Sequence, residues 1–364
     1  MSNERLKILI AAGGTGGHVF PAIAIADEIK KLRPDAEIIF VGTKEKIEAR
    51  VVPQHGYSLS FIWISGFHRG LRMDNLLFPI KVVVSFVQSF FLMKRFQPNI
   101  VIGTGGYVCG PVLYVASLLG IPMVVHESNS FPGITTRMLS TRATRIFTAF
   151  SATARWLKRK DNIELAGTPT RDVLGIVSRE DGIKFFNLDP SKKTVFMFGG
   201  SLGAASINQA VKLLVNDFIE SNIQLIWQTG NTDAGLAKEM AAMKNCWVHP
   251  FIDNMEYAYA AADVVVCRAG ATTLAELTRL GKASVLIPYP HAAADHQTFN
   301  AQTLVDAGAS VMIADRDVKL KLKDVIISVM NDEKRLKQMR EESRKIGKPN
   351  AGKVIAQRIL ELAK

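Results

Sequence analysis

Ile8-Leu9-Ile10-Ala11-Ala12-Gly13-Gly14-Thr15-Gly16-Gly17 decides the fold of this chain. An apolar run of strand length stops at a loop of small residues, and the stretch behind it has the spacing of a helix. The same order of signals returns at Val195-Phe196-Met197-Phe198-Gly199-Gly200-Ser201-Leu202-Gly203. A loop of this kind lets backbone N–H groups approach a ligand closely, and the helix behind it adds roughly half a positive charge. One such loop is as readily a tight turn as a phosphate cradle. Two in equivalent places, with a third at Gly103-Thr104-Gly105-Gly106, favour the cradle.

Around these loops, short apolar runs alternate with longer amphipathic ones. Strands are expected at residues 7–12, 37–41, 100–102, 122–126 and 145–148. After Gly167-Thr168-Pro169-Thr170 they restart at 194–198, 224–228, 246–249, 264–267 and 283–287. This alternation implies parallel sheets. The chain therefore reads as two α/β domains, residues 1–168 and 169–349. Ligands of open parallel sheets bind at the carboxyl edges of the strands, and two such edges facing each other would form a cleft. Residues 350–364 read as a last helix behind Gly347-Lys348-Pro349, able to pack on either domain.

Among the 364 residues, 45 Lys and Arg against 33 Asp and Glu give a net charge of +12, which implies an anionic partner. Nucleic acid is disfavoured, because the basic residues are scattered among apolar ones and no aromatic RNP-type strand is present. Cys109, Cys246 and Cys267 form neither a disulfide framework nor a thiolate metal site, which fits a reducing cytoplasm. The opening residues run directly into a strand, so no export signal is expected. Val19 stands where a dinucleotide fingerprint needs its last glycine, and no G-x-x-x-x-G-K-[ST] run occurs, which disfavours NAD and a P-loop. His291, Asp295 and His296 are weak as a metal site and read better as part of a sugar-binding loop.

The segments AAGGTGGHVFPA (Ala11–Ala22), GTGGYVCGP (Gly103–Pro111), HESNSFPG (His126–Gly133), GTPTR (Gly167–Arg171), FGGSLGA (Phe198–Ala204), CRAGATTLAEL (Cys267–Leu277) and DHQTFNA (Asp295–Ala301) carry a likeness. In this order they resemble the MurG family of peptidoglycan glycosyltransferases. The resemblance implies a GT-B fold, two Rossmann-like parallel-sheet domains facing a central cleft. It implies inverting transfer of N-acetylglucosamine from UDP-GlcNAc to the C4 hydroxyl of the muramyl residue of lipid I, giving lipid II. It further implies no cofactor, no Asp-x-Asp metal motif, a peripheral place on the cytoplasmic face of the cell membrane, and association with other wall-synthesis or division proteins. Rival readings are a GT-B glycolipid synthase, a UDP-GlcNAc 2-epimerase and a non-catalytic nucleotide-sugar sensor.

By the same resemblance, Ser201 contacts the donor diphosphate, Arg171 and the backbone of Ile252 lie near the uracil, and Glu276 binds the ribose. Gln297 and Asn129 read the hexose, with Thr15, Gly16, Gly17, Ala271, Thr272, Thr273, Leu274 and Ala275 completing the donor site. Gly14, Gly105, Gly106 and Tyr107 are expected at the acceptor diphosphate. Spacing alone would make Thr273 and Glu276 a capping box; the motif argues for a ligand.

Inverting transfer needs a base for the acceptor hydroxyl. His18 follows the first loop at a helix start and is the first candidate, with phosphate binding as its alternative role. Glu127 is the second. Strand alternation points His126 to the opposite face, in a structural role.

Leu76–Met93 is mostly apolar, yet short for a membrane span, and Lys81, Ser85, Gln88 and Ser89 form one polar stripe along it. With His68, Arg69, Arg72, Lys81, Lys94 and Arg95 beside Leu71, Leu76, Leu77 and Phe78, the segment suits an anionic membrane surface. Leu71–Ile80 is expected to rest on that surface, and the C-terminal half to be an ordinary core helix.

Overall fold

The computed structural model describes residues 5–66 and 77–363. The chain divides into two compact units, Met1–Thr170 with Lys348–Lys364, and Arg171–Gly347. The first unit runs β1 (Lys7–Ala11), α1 (Gly16–Leu32), β2 (Glu37–Gly42), α2 (Glu48–Gln54), β3 (Ser58–Phe61), α3 (Phe78–Phe96), β4 (Ile100–Gly103), α4 (Cys109–Leu118), β5 (Met123–Glu127), α5 (Ile134–Leu139), β6 (Arg145–Thr148) and β7 (Ile163–Leu165). Its seven strands are all parallel, in the order β3-β2-β1-β4-β5-β6-β7.

The second unit runs α6 (Arg179–Phe185), β8 (Lys193–Phe198), α7 (Ala205–Glu220), β9 (Ile223–Gln228), α8 (Ala234–Met240), β10 (Cys246–His249), α9 (Met255–Ala261), β11 (Val264–Cys267), α10 (Ala271–Leu280), β12 (Ala283–Leu286), α11 (His296–Asp306), β13 (Ser310–Met312), α12 (Val318–Asn331) and α13 (Glu333–Ile346). Six parallel strands follow the order β10-β9-β8-β11-β12-β13. The last helix, α14 (Ala351–Leu362), belongs to the first unit and packs on α1, burying Ile355, Ala356 and Ile359.

Strand alternation builds both faces of the first core. Ile8 and Ile10 of β1 pack with α1 and α14, while Leu9 and Ala11 pack with α4 and the end of α3. Each sheet reverses its strand order once, between β1 and β4 and between β8 and β11, and ligands of such sheets bind at that reversal. The Gly loops after β1, β4 and β8 all stand there.

α3 corrects the sequence reading. The polar stripe faces inward: Ser85 and Ser89 are fully buried, each hydroxyl donating to a carbonyl of its own helix, Val82 and Ser85. The outer face is apolar through the C-terminal half, with Val83 64%, Val87 49%, Phe90 40% and Phe91 66% exposed. A buried serine that bonds its own helix needs no water, so the stripe does not mark the solvent side. No helix among the described residues is long and apolar enough to cross a membrane. His68, Arg69, Leu71, Arg72 and Leu76 lie outside the described residues.

Candidate active site

In the first unit, the loop after β1 is braced from beneath by Glu48, the wholly buried first residue of α2. Glu48 Oε2 accepts the Gly14 N–H at 3.1 Å, and Oε1 accepts the Thr43 N–H at 3.1 Å and the Thr43 hydroxyl at 2.7 Å. Gly13 and Gly42 make room for it, since a Cβ on either would collide with its side chain. In the neighbouring loop the Gly105 N–H points to Cys109 Sγ at 3.3 Å. The amides of Gly14 and Gly105, both expected at a diphosphate, are thus directed into the protein. Helix geometry leaves those of Gly16 and Gly17 at the start of α1, behind the exposed N-cap residue Thr15.

His18 sits in that first turn, half-buried, with Nδ1 3.1 Å from the Thr104 carbonyl, while the Thr104 hydroxyl donates to the His18 carbonyl at 2.8 Å. A carbonyl only accepts, so Nδ1 carries the hydrogen and the neutral ring keeps its lone pair on Nε2. This is the tautomer a general base requires. Gly105, at φ +115°, leaves space for the ring, which a Cβ there would strike.

Glu127 is differently placed. Its Oε1 accepts the N–H and Nδ2 of Asn129 at 3.0 and 3.2 Å, and its Oε2 accepts the Gly133 N–H at 3.0 Å and the Thr136 hydroxyl at 2.7 Å. Four donors on one buried carboxylate make it the anchor of the loop that carries Asn129. His126 Nε2 lies 2.9 Å from the Gly167 carbonyl, and burial holds this imidazole below its ordinary pKa.

In the second unit the loop after β8 has the opposite polarity. The Gly200 carbonyl accepts Gln228 Nε2 at 3.0 Å, Ser201 that of Asn231 N–H at 3.2 Å, and Leu202 that of the Thr232 hydroxyl. Across a trans peptide the next N–H points away from each carbonyl, so the amides of Ser201 and Leu202 face the other side of the loop. The exposed Ser201 side chain stands among them. Gly203 and Gly230 cross so closely that neither could carry a Cβ. Gln228 also accepts the Ile252 N–H at 3.0 Å through Oε1, which spends one of the two backbone groups expected at the uracil.

Glu276 is no capping residue. The N-cap of α10 is Gly270, and the carboxylate accepts Arg171 Nε at 3.1 Å and Arg171 Nη2 at 3.0 Å on Oε1, and the Tyr259 hydroxyl at 2.9 Å on Oε2. Burial, joined by the Glu276 charge, holds the Tyr259 phenol well above its usual pKa, so it stays a donor. Ala271, Thr272, Thr273 and Ala275 are half-buried in the first turns of α10, whereas Leu274 is wholly buried and offers only backbone. Gln297, in the first turn of α11, accepts the Tyr289 N–H at 2.9 Å. His296 turns to the Ala293 carbonyl and Asp295 to the Thr298 hydroxyl.

Sequence reasoning passed over Arg268, which ties this edge together. Its guanidinium reaches the Ile287 and Pro288 carbonyls at 3.2 Å, Asp315 at 2.5 Å and the Ser206 hydroxyl at 3.0 Å, and lies over the Tyr289 ring. It also passed over the spelling Asp315-Arg316-Asp317, an Asp-x-Asp; Asp315 is engaged by Arg268 and Ser206, and Asp317 by Lys321. Gln228 had a signal only in its place, a polar residue at the carboxyl end of a strand. Glu48 had none.

Two parallel-sheet units, each with a glycine-rich loop where its strand order reverses, have the architecture of a GT-B glycosyltransferase, and comparison with known proteins agrees. Residues 8–148 match the glycosyltransferase family 28 N-terminal domain, and residues 194–359 the corresponding C-terminal domain. The chain belongs to glycosyltransferase family 28 and, within it, to the MurG family of N-acetylglucosaminyltransferases. Relatives from Prosthecochloris aestuarii (43% identical, covering 98% of this chain and 99% of that one) and Chlorobaculum tepidum (44%, covering 99% and 100%) are both named UDP-N-acetylglucosamine--N-acetylmuramyl-(pentapeptide) pyrophosphoryl-undecaprenol N-acetylglucosamine transferase. The crystal structure of Acinetobacter baumannii MurG matches with a TM-score of 0.80 at 28% identity, over 98% of this chain and 100% of that one. A UDP-N-acetylglucosamine 2-epimerase matches with a TM-score of 0.64 at 15% identity over 98% and 96%, a likeness of fold alone.

Proposed function

We propose that this chain moves N-acetylglucosamine from UDP-GlcNAc onto the muramyl C4 hydroxyl of lipid I, with inversion, and that His18 Nε2 takes the hydroxyl proton. The observation that carries the mechanism is the Thr104 carbonyl on His18 Nδ1, which fixes the basic nitrogen at the reversal point of the first sheet. Gly106 lines the same edge for the acceptor diphosphate, joined by Gly16 and Gly17, which the resemblance gave to the donor and which stand at the start of α1 in the first unit. The second unit holds the donor: the Ser201 and Leu202 amides and the start of α7 receive the diphosphate, and Glu276, oriented by Arg171 and Tyr259, accepts the ribose hydroxyls. Ile252 contributes its carbonyl to the uracil, and Gln297 reads the hexose. Departing UDP is stabilised by helix-start amides and Ser201.

An acceptor on a polyprenyl diphosphate stays in the bilayer, so the enzyme must come to it. The apolar face of α3, with Leu77 and Ile80 at one end and Lys94 and Arg95 at the other, supplies a peripheral contact to an anionic cytoplasmic surface. Lys81 contributes less than its sequence position suggests, because its ammonium turns to Ser65 at 3.2 Å and the Trp63 ring.

The test is UDP release from UDP-GlcNAc with and without a lipid I analogue, with the product weighed. Acceptor-dependent release and a gain of one N-acetylhexosamine support the reading; release without acceptor, or a free 2-epimer, defeats it. Phe91→Asp with Val87→Asp is expected to abolish retention on anionic vesicles at low salt while leaving turnover on a soluble acceptor intact.

A further inference from the structure

We infer that the peptide of the acceptor docks on a platform of stacked arginines and aromatic rings, Phe131, Arg137, Arg155 and Trp156, with one of its carboxylates on the two guanidiniums. The inference deepens the proposed function and rests on the first unit holding the acceptor.

The platform is built from the segments that follow β5 and β6, at the carboxyl edge that also carries His18. One chain of contacts runs through it: the Arg137 guanidinium lies 5.0 Å over the Phe131 ring, Phe131 meets Trp156 edge-on at 4.8 Å, and the Arg155 guanidinium lies 4.9 Å over Trp156. Thr153, in the short helical turn Ser151–Trp156, donates its hydroxyl to the Asn129 carbonyl at 3.0 Å, which joins this turn to the loop anchored by Glu127. Ile134 and Met138, one turn apart on α5 beside Arg137, are 67% and 73% exposed. From Ser128 to Lys160 the chain carries seven Lys and Arg and no acid. The acids that bound this stretch are spent, Glu127 on four donors of its own loop and Asp161 on Arg159. Stacking on the rings thus places both guanidiniums, and Arg137 Nε is buried without a hydrogen-bond partner. A planar fork held on a ring suits a carboxylate, which it can bind through two parallel bonds, and the apolar groups beside it suit a short aliphatic side chain. His18 is bonded at the end of β4, and the sheet order puts the platform one and two strands further on, about 5–10 Å across the edge. Five extended residues span about 17 Å. The peptide is carried by the same sugar whose hydroxyl faces His18, so the platform lies within its reach.

The experiment measures KM and kcat on two lipid I analogues with short soluble chains, one bearing the pentapeptide and one without it, its muramyl carboxyl capped as an amide. The enzymes are the full-length wild type, Arg137→Gln, Arg155→Gln, the pair of these changes, and Arg137→Lys. Wild type is expected to show a KM about tenfold lower on the pentapeptide analogue. The double variant should lose that preference, with kcat, the UDP-GlcNAc KM and the KM of the peptide-free analogue unchanged. Arg137→Lys keeps the charge but not the fork, and should behave as Arg137→Gln. The peptide-free analogue also reports on folding, because a misfolded variant fails on both acceptors. A KM that rises alike on both analogues, or a wild type that does not distinguish them, overturns the inference while the transfer reaction stands. Loss of retention on anionic vesicles by the double variant, with its peptide preference intact, assigns the platform to the membrane surface instead. If wild type transfers to neither analogue, the proposed function fails and the inference falls with it.

Discussion

The loops after β1 and β8 follow the same kind of strand and open the same kind of helix, yet one is gripped by an N–H and the other by its carbonyls. Beneath Gly13–Gly17 lies a carboxylate, which can only accept, so Gly14 turns its amide inward. Beside Gly199–Gly203 lie the Gln228 amide, the Asn231 N–H and the Thr232 hydroxyl, all donors, so three consecutive carbonyls turn inward instead. A glycine-rich spelling therefore does not determine what a loop offers a ligand. The residues that brace it from other elements do, and here they leave the second loop with outward amides and the first with a histidine at its helix start.

The largest effect is expected at His18, the base proposed for the first loop. His18→Ala should lower kcat by on the order of 100-fold or more with little change in either KM. An unchanged kcat with raised KM values would instead make both loops simple phosphate cradles and erase the contrast. Next comes Gln228→Leu, which leaves the Ile252 N–H without its partner and the Gly200 carbonyl with the Gly203 N–H alone; the UDP-GlcNAc KM should rise about tenfold and chemical denaturation should show a loss of about 1–3 kcal/mol. Were the acceptor KM to rise as well, the bracing of the two loops would not be separable. Tyr259→Phe is expected to raise the donor KM about threefold, by loosening Glu276, without affecting a soluble acceptor.

The smallest effect is one of pH. His126, behind the first loop, has a folded pKa below its unfolded value of about 6.5. The unfolded chain thus binds this proton more readily, and the stability present above pH 6.5 declines as pH falls toward the folded pKa. His126→Asn should flatten the fall of the denaturation midpoint below about pH 6.5; an equally steep profile in the variant would assign the dependence to other groups.

Central strands and their loops were legible because burial on both faces writes continuous apolar runs such as Ile8–Ala11 and Val195–Phe198. β3, β7 and β13 were missed for the converse reason. They are edge strands of three or four residues, half exposed, and Ser-Leu-Ser-Phe carries no run to find. α3 was located but turned inside out, since its serines satisfy themselves and Phe90 and Phe91 do not face the core. Most residues of the two ligand edges could be named from motifs; the side chains that aim them could not. Glu48 reaches Gly14 across 34 positions and Arg268 reaches Asp315 across 47, and nothing local in either segment announces the partner.

The placement of α14 bears on how the molecule is made. Ile355, Ala356, Ile359 and Ala363 complete a core whose other buried members all precede residue 167, so the first unit emerges from the ribosome with one side of α1 still bare. The core of the first unit therefore closes only with residues made after the whole second unit. The unit begun first is finished last, and a transcript truncated even shortly before Ala351 would yield a complete second unit attached to an open first one.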